Sequence, residues 1–223
     1  MNQTVLLKGV VGSTAYGLAH KGSDVDYLGV FAAPTKALLS LHPPKDTQVS
    51  KDPDTTLHEA RKFVGLCLGG NPTVFELLWL ERYEVETWIG RHLISIRESF
   101  LGAHRVRDAY LGYAVQQFEW LRRENRFPNV PDPRIEKHAR HLVRLVQQGL
   151  ELYRTGKLTI RLDKPEYVRE MGVKIAADPE VGSALVEQAR HDFSGDSPAL
   201  PDKASEEEAE FWLHRVRTEF WRP

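Results

Sequence analysis

The spacing of apolar residues changes along this chain, and that change constrains the fold more than any other feature. Residues 4–11 (TVLLKGVV) form a short, β-branched apolar run followed by a glycine, which predicts a buried strand. Residues 24–32 (DVDYLGVFA) predict a second strand. From about Thr87 onward the apolar spacing is almost entirely helical. We therefore expect an α/β protein of the α+β type, with a small mixed β-sheet followed by a helical domain.

Several helices are predicted from periodicity and from their end residues. Residues 56–68 carry apolar side chains at helical spacing and end at Gly69-Gly70. Asn71-Pro72 is typical of a helix start, since Asn caps the first turn and Pro suits the first helical position. The remaining predicted elements are helices at 72–81, 103–124, 134–155, 165–171, 182–191 and 205–220, a short strand at 157–162, an exposed loop at 194–204, and breaks at Pro128, Pro131 and Pro133. These elements predict one domain at 1–95 and a second, helical domain at 96–223.

Composition narrows the class of protein. With 223 residues, 41% hydrophobic and 27% charged, the chain has ordinary globular proportions. It has no apolar run near the roughly 20 residues of a membrane helix, and its first residues do not resemble a secretory signal. The single cysteine, Cys67, excludes an internal disulfide and a cysteine-based metal site. We expect a cytoplasmic protein without membrane contact, and the net charge of −1 requires any polyanion to bind at a local patch.

Two aspartates stand at the start of the second predicted strand. Asp24 and Asp26 are two residues apart, so on a strand their side chains would project from the same face. Two carboxylates this close repel each other, and a divalent cation between them relieves the repulsion. Magnesium suits such a site because it combines few carboxylates with substrate phosphates. The pair therefore predicts a divalent-cation site.

A glycine-serine turn directly follows the first predicted strand. Gly12 allows a phosphate to approach the backbone closely, and the exposed N–H groups of such a turn attract anions. The Ser13 hydroxyl adds a donor, and the chain then turns back to Ser23-Asp24. Each piece alone is common in turns and caps, but their order between two strands is much more specific. Together they predict a centre that binds phosphate and metal.

The run G-S-x-A-Y-G followed by S-D-V-D-Y-L-G-V resembles the signature of the DNA polymerase beta-like nucleotidyltransferase superfamily. The resemblance implies that residues 1–95 are a nucleotidyltransferase domain. It implies that Asp24 and Asp26 bind two Mg²⁺ ions, with Mn²⁺ as an alternative. It also implies that the Gly12-Ser13 turn, together with Ser23, holds the triphosphate of a nucleoside triphosphate substrate.

The superfamily usually carries a third acid on a neighbouring strand, where it binds metal and accepts the proton of the attacking hydroxyl. Asp54 is the best candidate here, because it stands five residues before Glu59, as in a related branch. Asp52 and Glu59 are the alternatives. The flanking segment K-D-P-D-T-T is polar and does not predict a strand, so the choice stays open.

A second set of motifs resembles the predicted nucleotidyltransferases of bacteria and phages that are linked to RNA ligase and RNA repair. The segments L-H-E-A-R-K-F and G-N-P-T-V-F-E-L-L-W place Glu59, Arg61-Lys62, Asn71-Pro72 and Glu76 at its motif positions. This branch implies nucleotide transfer to an RNA or tRNA 3′ end in repair or maintenance. Transfer of AMP to a protein side chain, transfer to a small hydroxylated molecule, and a non-catalytic binding module are the alternatives.

The predicted helix at 134–155 carries a row of basic residues. Lys137, His141 and Arg144 stand at i, i+4 and i+7, so they share one face. Leu142 and Leu145 belong to a different stripe that predicts core. Two interpretations are open: the basic row lines the cleft and binds triphosphate or RNA phosphates, or it is a solvated face.

Overall fold

The computed structural model describes residues 3–124 and 133–221, which form two compact units. The first unit comprises the residues up to Leu101 together with those from Lys203 onward, and the second spans Gly102–Asp202. The architecture is α+β, with a mixed sheet near the N-terminus and helices after it, which confirms the predicted fold class. Among the described residues, none of the helices has both the length and the apolar character needed to cross a membrane.

The first unit is built on a mixed sheet with the strand order β3-β4-β2-β1-β5. Its strands are β1 (Thr4–Val11), β2 (Asp26–Ala32), β3 (Thr47–Lys51), β4 (Asp54–Glu59) and β5 (Val85–Glu86). Strand β1 runs antiparallel to β2 and β5, β2 runs parallel to β4, and β3 runs antiparallel to β4. The apolar strands β1 and β2 lie inside the sheet, and helices cover them. The polar strand β3 lies at the exposed edge.

Helices complete both units. Those of the first unit are α1 (Gly12–Tyr16), α2 (Thr35–Leu38), α3 (Ala60–Leu68), α4 (Pro72–Leu78), α5 (Trp88–Ser95), a 3-10 helix (Arg97–Phe100) and the last helix of the chain, α10 (Glu206–Glu219). Those of the second unit are α6 (Ala103–Glu124), α7 (Pro133–Thr155), α8 (Pro165–Ala177) and α9 (Pro179–Gly195). The predicted cap of α4 is confirmed, since Asn71 Oδ1 accepts a hydrogen bond from Val74 N at 3.2 Å. The predicted breaks at Pro128 and Pro131 lie outside the described residues.

Two predicted elements have a different secondary structure from the one predicted. The helix predicted over 56–68 begins only at Ala60, because the preceding residues pair with β2 and β3 as strand β4. The short strand predicted over 157–162 does not form in this described segment. There the Gln148 side chain donates to the carbonyl oxygens of Thr159 and Ile160, so a helix side chain, not a neighbouring strand, binds this backbone.

The last helix packs with the first unit, although the sequence-based division at 95/96 grouped it with the helical part. Trp212 of α10 is fully buried, and its indole Nε1 donates to the carbonyl of Ile89 at 3.0 Å. Arg217 binds Glu59 at the end of β4 through two hydrogen bonds of 2.7 and 2.8 Å. These contacts explain why residues from Lys203 onward belong to the same compact unit as the sheet.

Candidate active site

The glycine-serine turn lies directly against the Asp26 carboxylate. Strand β1 ends at Val11, and α1 starts at the next residue, Gly12, whose φ is +70°. A Cβ added at Gly12 would lie 2.4 Å from Asp26 Oδ2, which is far inside van der Waals contact. Glycine is therefore required here both by backbone conformation and by the approach of this carboxylate. The two motifs that were separate in the sequence form one site.

The strand register places Asp54 beside Asp26. Val11 is the partner of Asp26 in the antiparallel β1–β2 ladder, so the end of β1 adjoins the start of β2. The parallel β2–β4 ladder pairs Tyr27 with Thr55, and each of these residues directly follows an aspartate that begins its strand. Neighbouring strands lie about 4.8 Å apart. Asp26 and Asp54 consequently share one edge of the sheet.

Glu59 and Asp52, the alternatives to Asp54 as the third acid, lie in different surroundings. Glu59 lies at the far end of β4, opposite Phe31, and is only 3% exposed. Its two carboxylate oxygens accept hydrogen bonds from the Arg217 guanidinium, and Oε2 also accepts from Arg61 N at 2.9 Å. Glu59 therefore serves as a helix cap and an ion-pair partner. Asp52 is exposed in the turn between β3 and β4, two residues before the strand position that adjoins Asp26.

Asp24 and Ser23 lie in the segment that leads into β2. The strand predicted from Asp24 starts at Asp26, so strand alternation does not fix the direction of the Asp24 side chain, which is exposed. Ser23 closes a tight turn with His20. The Ser23 hydroxyl accepts from His20 N, and Ser23 N donates to the His20 carbonyl, both at 2.9 Å. This turn returns the chain from α1 to the aspartates.

The donor set at this edge fits a cation that is shared with a substrate. Within residues 3–124 and 133–221, no cluster of three or more His, Cys, Asp or Glu side chains is arranged to hold a metal ion by itself. Asp24, Asp26 and Asp54 nevertheless provide exposed or half-buried carboxylate oxygens, the donor type that magnesium prefers. Magnesium usually combines one or two carboxylates with phosphate oxygens and water. These residues therefore fit a cation completed by the phosphates of a nucleotide.

A buried hydrogen bond ties α1 to α4. Tyr16, the last residue of α1, donates from its hydroxyl to Glu76 Oε1 at 2.5 Å, and the two residues are 3% and 1% exposed. Sequence reasoning marked Glu76 as a motif position without giving it a contact. The signal was present, because a carboxylate inside the apolar helix Pro72–Leu78 needs a buried polar partner. Through Tyr16, Glu76 holds the element that carries Gly12 and Ser13.

The basic row predicted on α7 does not form one exposed cationic face. Lys137 is exposed, but Arg144 is 5% exposed and its Nη1 donates to Gln148 Oε1 at 2.7 Å. Burial, followed by the charges of Arg144 and Lys137, lowers the pKa of His141 to about 3, so its ring is neutral near pH 7. The physical reason is that α7 packs against α6, α8 and α9, which cover most of its circumference.

Sequence reasoning missed Arg217 entirely. Its partner Glu59 is 158 positions away in the chain, and an arginine near the end of a charged helix is ordinary in sequence. The sequence around Glu59 (L-H-E-A-R-K-F) already offers nearby basic residues, so nothing in it pointed to a distant cation, and only the burial of Glu59 shows that its carboxylate requires one.

The Gly-Ser turn lies against an aspartate that begins a sheet strand, and a further aspartate begins the next strand, so the fold brings together the motifs that resemble the polymerase beta-like superfamily. The chain matches the RlaP family model, described as the RNA repair pathway DNA polymerase beta family, over residues 1–180, and it belongs to that family. The predicted resemblance is thereby confirmed, and the chain is a nucleotidyltransferase of an RNA repair family. No curated protein matches it.

Proposed function

We propose that this protein transfers a nucleoside monophosphate from a nucleoside triphosphate to the 3′ hydroxyl of an RNA, with tRNA as the first acceptor to test. The observation that carries the proposal is the register that brings Gly12, Asp26 and Asp54 to one edge of the sheet. The RNA acceptor is supported by the family, which is an RNA repair family. The protein would act in the cytoplasm.

In this proposal the aspartates hold the metal and the glycine-serine turn holds the triphosphate. Asp24 and Asp26 would bind Mg²⁺ together with phosphate oxygens, and Asp54 would complete the carboxylate set. When bound, two such ions stabilise the charge on the attacking and leaving oxygens of an in-line displacement. Gly12 leaves room at the backbone, and Ser13 and Ser23 supply hydroxyl donors near the turn.

Asp54 is proposed to accept the proton of the attacking hydroxyl. The acceptor oxygen forms a bond to the α-phosphorus, the bond from that phosphorus to the bridging oxygen of the β-phosphate breaks, and pyrophosphate leaves. Asp54 is exposed at the start of β4, so an acceptor strand can reach its carboxylate. Most of the rate gain in such transfers comes from positioning and charge stabilisation, which is why the support of α1 by Glu76 matters.

The cations of α7 have a restricted part in this proposal. Lys137 is exposed and could contact a phosphate of the triphosphate or of the RNA. Arg144 and His141 would instead contribute to the packing of the second unit. Arg144 donates a hydrogen bond to Gln148, and the ring of His141 is neutral near pH 7. Any nucleotide-binding role of these two residues would require α7 to rearrange.

The test is transfer of label from α-labelled nucleoside triphosphates in the presence of Mg²⁺ or Mn²⁺. tRNA, mixed RNA and whole-cell protein are offered as acceptors. The variant Asp24→Ala/Asp26→Ala should lose transfer, while the control Asp163→Ala/Asp202→Ala removes two exposed carboxylates of the second unit and should keep it. Label in RNA that depends on Asp24 and Asp26 supports the proposal. Label in protein alone, or transfer that survives in the Asp24→Ala/Asp26→Ala variant, would overturn it.

A further inference from the structure

A cavity lies in the first unit, away from Asp26 and Asp54. It is an open cavity of about 770 Å³, lined by the end of α2 and the segment after it, the first turns of α3, and the end of α10. Arg61, Lys62 and Arg217 contribute cationic groups, and Asp46 and Glu59 contribute carboxylates. Leu39, Pro44 and Leu66 are among its apolar lining residues, and Leu39 is 72% exposed.

The charges of this cavity are not balanced. Glu59 is bound on both oxygens by Arg217, so this pair is internally neutral. Lys62 Nζ lies 3.9 Å from Asp46 Oδ2, and because both side chains are well exposed the interaction is weak. Arg61 is exposed, and its guanidinium has no carboxylate partner among the residues that the structure describes. An excess positive charge therefore remains at the first turn of α3.

The cavity is separate from the candidate reaction centre. Asp54 begins β4 at the aspartate edge, whereas Glu59 ends the same strand at the floor of the cavity. Five steps of about 3.3 Å along a strand separate these positions by about 17 Å. A single nucleotide bound at the aspartates does not span this distance, but a strand of RNA does. A single strand of RNA that runs from the aspartates to the cavity would cover this distance with several nucleotides.

We infer that this cavity is a phosphate-binding subsite for the acceptor RNA, in which Arg61 and Lys62 contact the backbone several nucleotides from the reacting 3′ end. The inference rests on the proposed function. Guanidinium and ammonium groups are the side chains that bind phosphate best, and Arg61 is available to do so bidentately. The exposed Leu39 and the half-buried Pro44 offer an apolar surface on which a sugar or base can pack.

The first test measures RNA binding by the full chain without nucleoside triphosphate, at several salt concentrations. Each phosphate contact to a single strand contributes about 0.7 to the slope of log affinity against log salt. Arg61→Ala/Lys62→Ala should therefore lower that slope by about 1.4 on a 12-nucleotide RNA. The matched control Arg91→Ala/Lys174→Ala also removes one exposed arginine and one exposed lysine and should leave the slope unchanged. Equal slopes for both variants would overturn the inference.

The second test compares acceptors of three and twelve nucleotides in the transfer reaction. In the wild-type chain the longer acceptor should have a KM about tenfold lower, and Arg61→Ala/Lys62→Ala should abolish most of that difference. A change in the KM for the nucleoside triphosphate, with the dependence on acceptor length retained, would assign the cavity to a free nucleotide and overturn the RNA subsite. In a chain that keeps Arg61, the single variant Lys62→Arg should retain more of the dependence of KM on acceptor length than the single variant Lys62→Ala.

These outcomes separate the inference from the proposed function. If the wild-type chain neither binds nor labels RNA, the proposed function fails, and the subsite fails with it. If the chain labels RNA but Arg61→Ala/Lys62→Ala behaves like the control, only the subsite fails. Both residues are exposed on α3, so the thermal unfolding of this variant should match that of the wild type and confirm that the fold is intact.

Discussion

At the scale of single residues, Gly12 links the glycine-serine turn to strand β2, which begins at Asp26. Its φ of +70° lies in the left-handed region, and the Asp26 carboxylate occupies the space where a side chain would begin. Gly156, at the end of α7, has nearly the same φ of +71°, but a Cβ there would meet only Leu200 Cδ2 at 3.7 Å, an ordinary contact. A comparison of substitutions at these two glycines therefore separates the effect of backbone strain from the effect of displacing the Asp26 carboxylate.

Gly12→Ala should cost far more activity than Gly156→Ala. Both substitutions impose left-handed strain of roughly 1–2 kcal/mol on the free energy of unfolding. Only Gly12→Ala also moves the Asp26 carboxylate, and a shift of about 1 Å at a reaction centre lowers the rate by about a hundredfold. Single-turnover transfer and thermal unfolding of both variants provide the check. Similar activity in the two variants would show that Asp26 tolerates displacement.

His141 should make stability depend on pH in the acidic range. Its pKa is about 3 in the folded chain, lowered from the ordinary histidine value of 6.5 first by burial and then by the charges of Arg144, Lys137, His138 and Arg140. Below pH 6.5 the unfolded chain binds a proton at this ring and the folded chain does not, so the free energy of unfolding falls as pH drops towards 3. The slope approaches about 1.4 kcal/mol per pH unit for one such group.

His141→Gln should reduce the slope of the free energy of unfolding against pH in this range. The measurement is denaturant unfolding between pH 7 and pH 4.5, followed by comparison of the slopes. Parallel curves for His141→Gln and the wild type would contradict the assignment of a neutral, buried ring.

At the scale of elements, α10 is fastened to the end of β4 through a nearly buried ion pair. Arg217 is 20% exposed at its side chain and Glu59 is 4% exposed, and the two form a bidentate pair. Thr35 of α2 adds to this junction, because its hydroxyl donates to the Arg217 carbonyl at 2.7 Å. The C-terminal helix thus closes the sheet end that faces the cavity described above.

Arg217→Ala should destabilise the first unit by about 3 kcal/mol, at the low end of the range for removing one partner of a buried pair, since Arg217 keeps some exposure. Arg215→Ala on the same helix removes a cation that lies over the Trp88 ring at 5.2 Å and should cost less than about 1 kcal/mol. Denaturant unfolding compares the two variants. A loss below about 1 kcal/mol for Arg217→Ala would show that water replaces the guanidinium at Glu59.

Elements with a strong local pattern could be predicted from sequence, and elements defined by distant partners could not. Strand β1 and helix α6 have the predicted bounds, because β-branched density in the first and periodicity in the second act locally. The hairpin of β3 and β4 was missed because its residues are polar, and its stability comes from pairing with β2. The start of β2 at Asp26 was also misplaced by two residues, which matters for the direction of Asp24.

At the scale of the whole molecule, the candidate site draws on four elements of the first unit. Gly12 comes from α1, Asp26 from β2, Asp54 from β4 and Glu76 from α4. The Gly12-Ser13 turn and the aspartates before β2 could be expected to lie together from their order in the sequence. Adjacent antiparallel strands bring the end of one strand beside the start of the next. The place of Asp54 required the parallel β2–β4 register, which polar sequence alone does not specify.

The central claim is that Asp54, beside Asp26, completes the reaction centre. The most direct measurement is the single-turnover rate of label transfer to RNA for Asp54→Asn and for Asp52→Asn, two nearly isosteric changes in the same exposed hairpin. Loss of a general base lowers the rate by about 10²–10⁴-fold, so Asp54→Asn should show a loss in that range while Asp52→Asn stays within about threefold of the wild type. The reverse order, or equal rates for the two variants, would contradict the account.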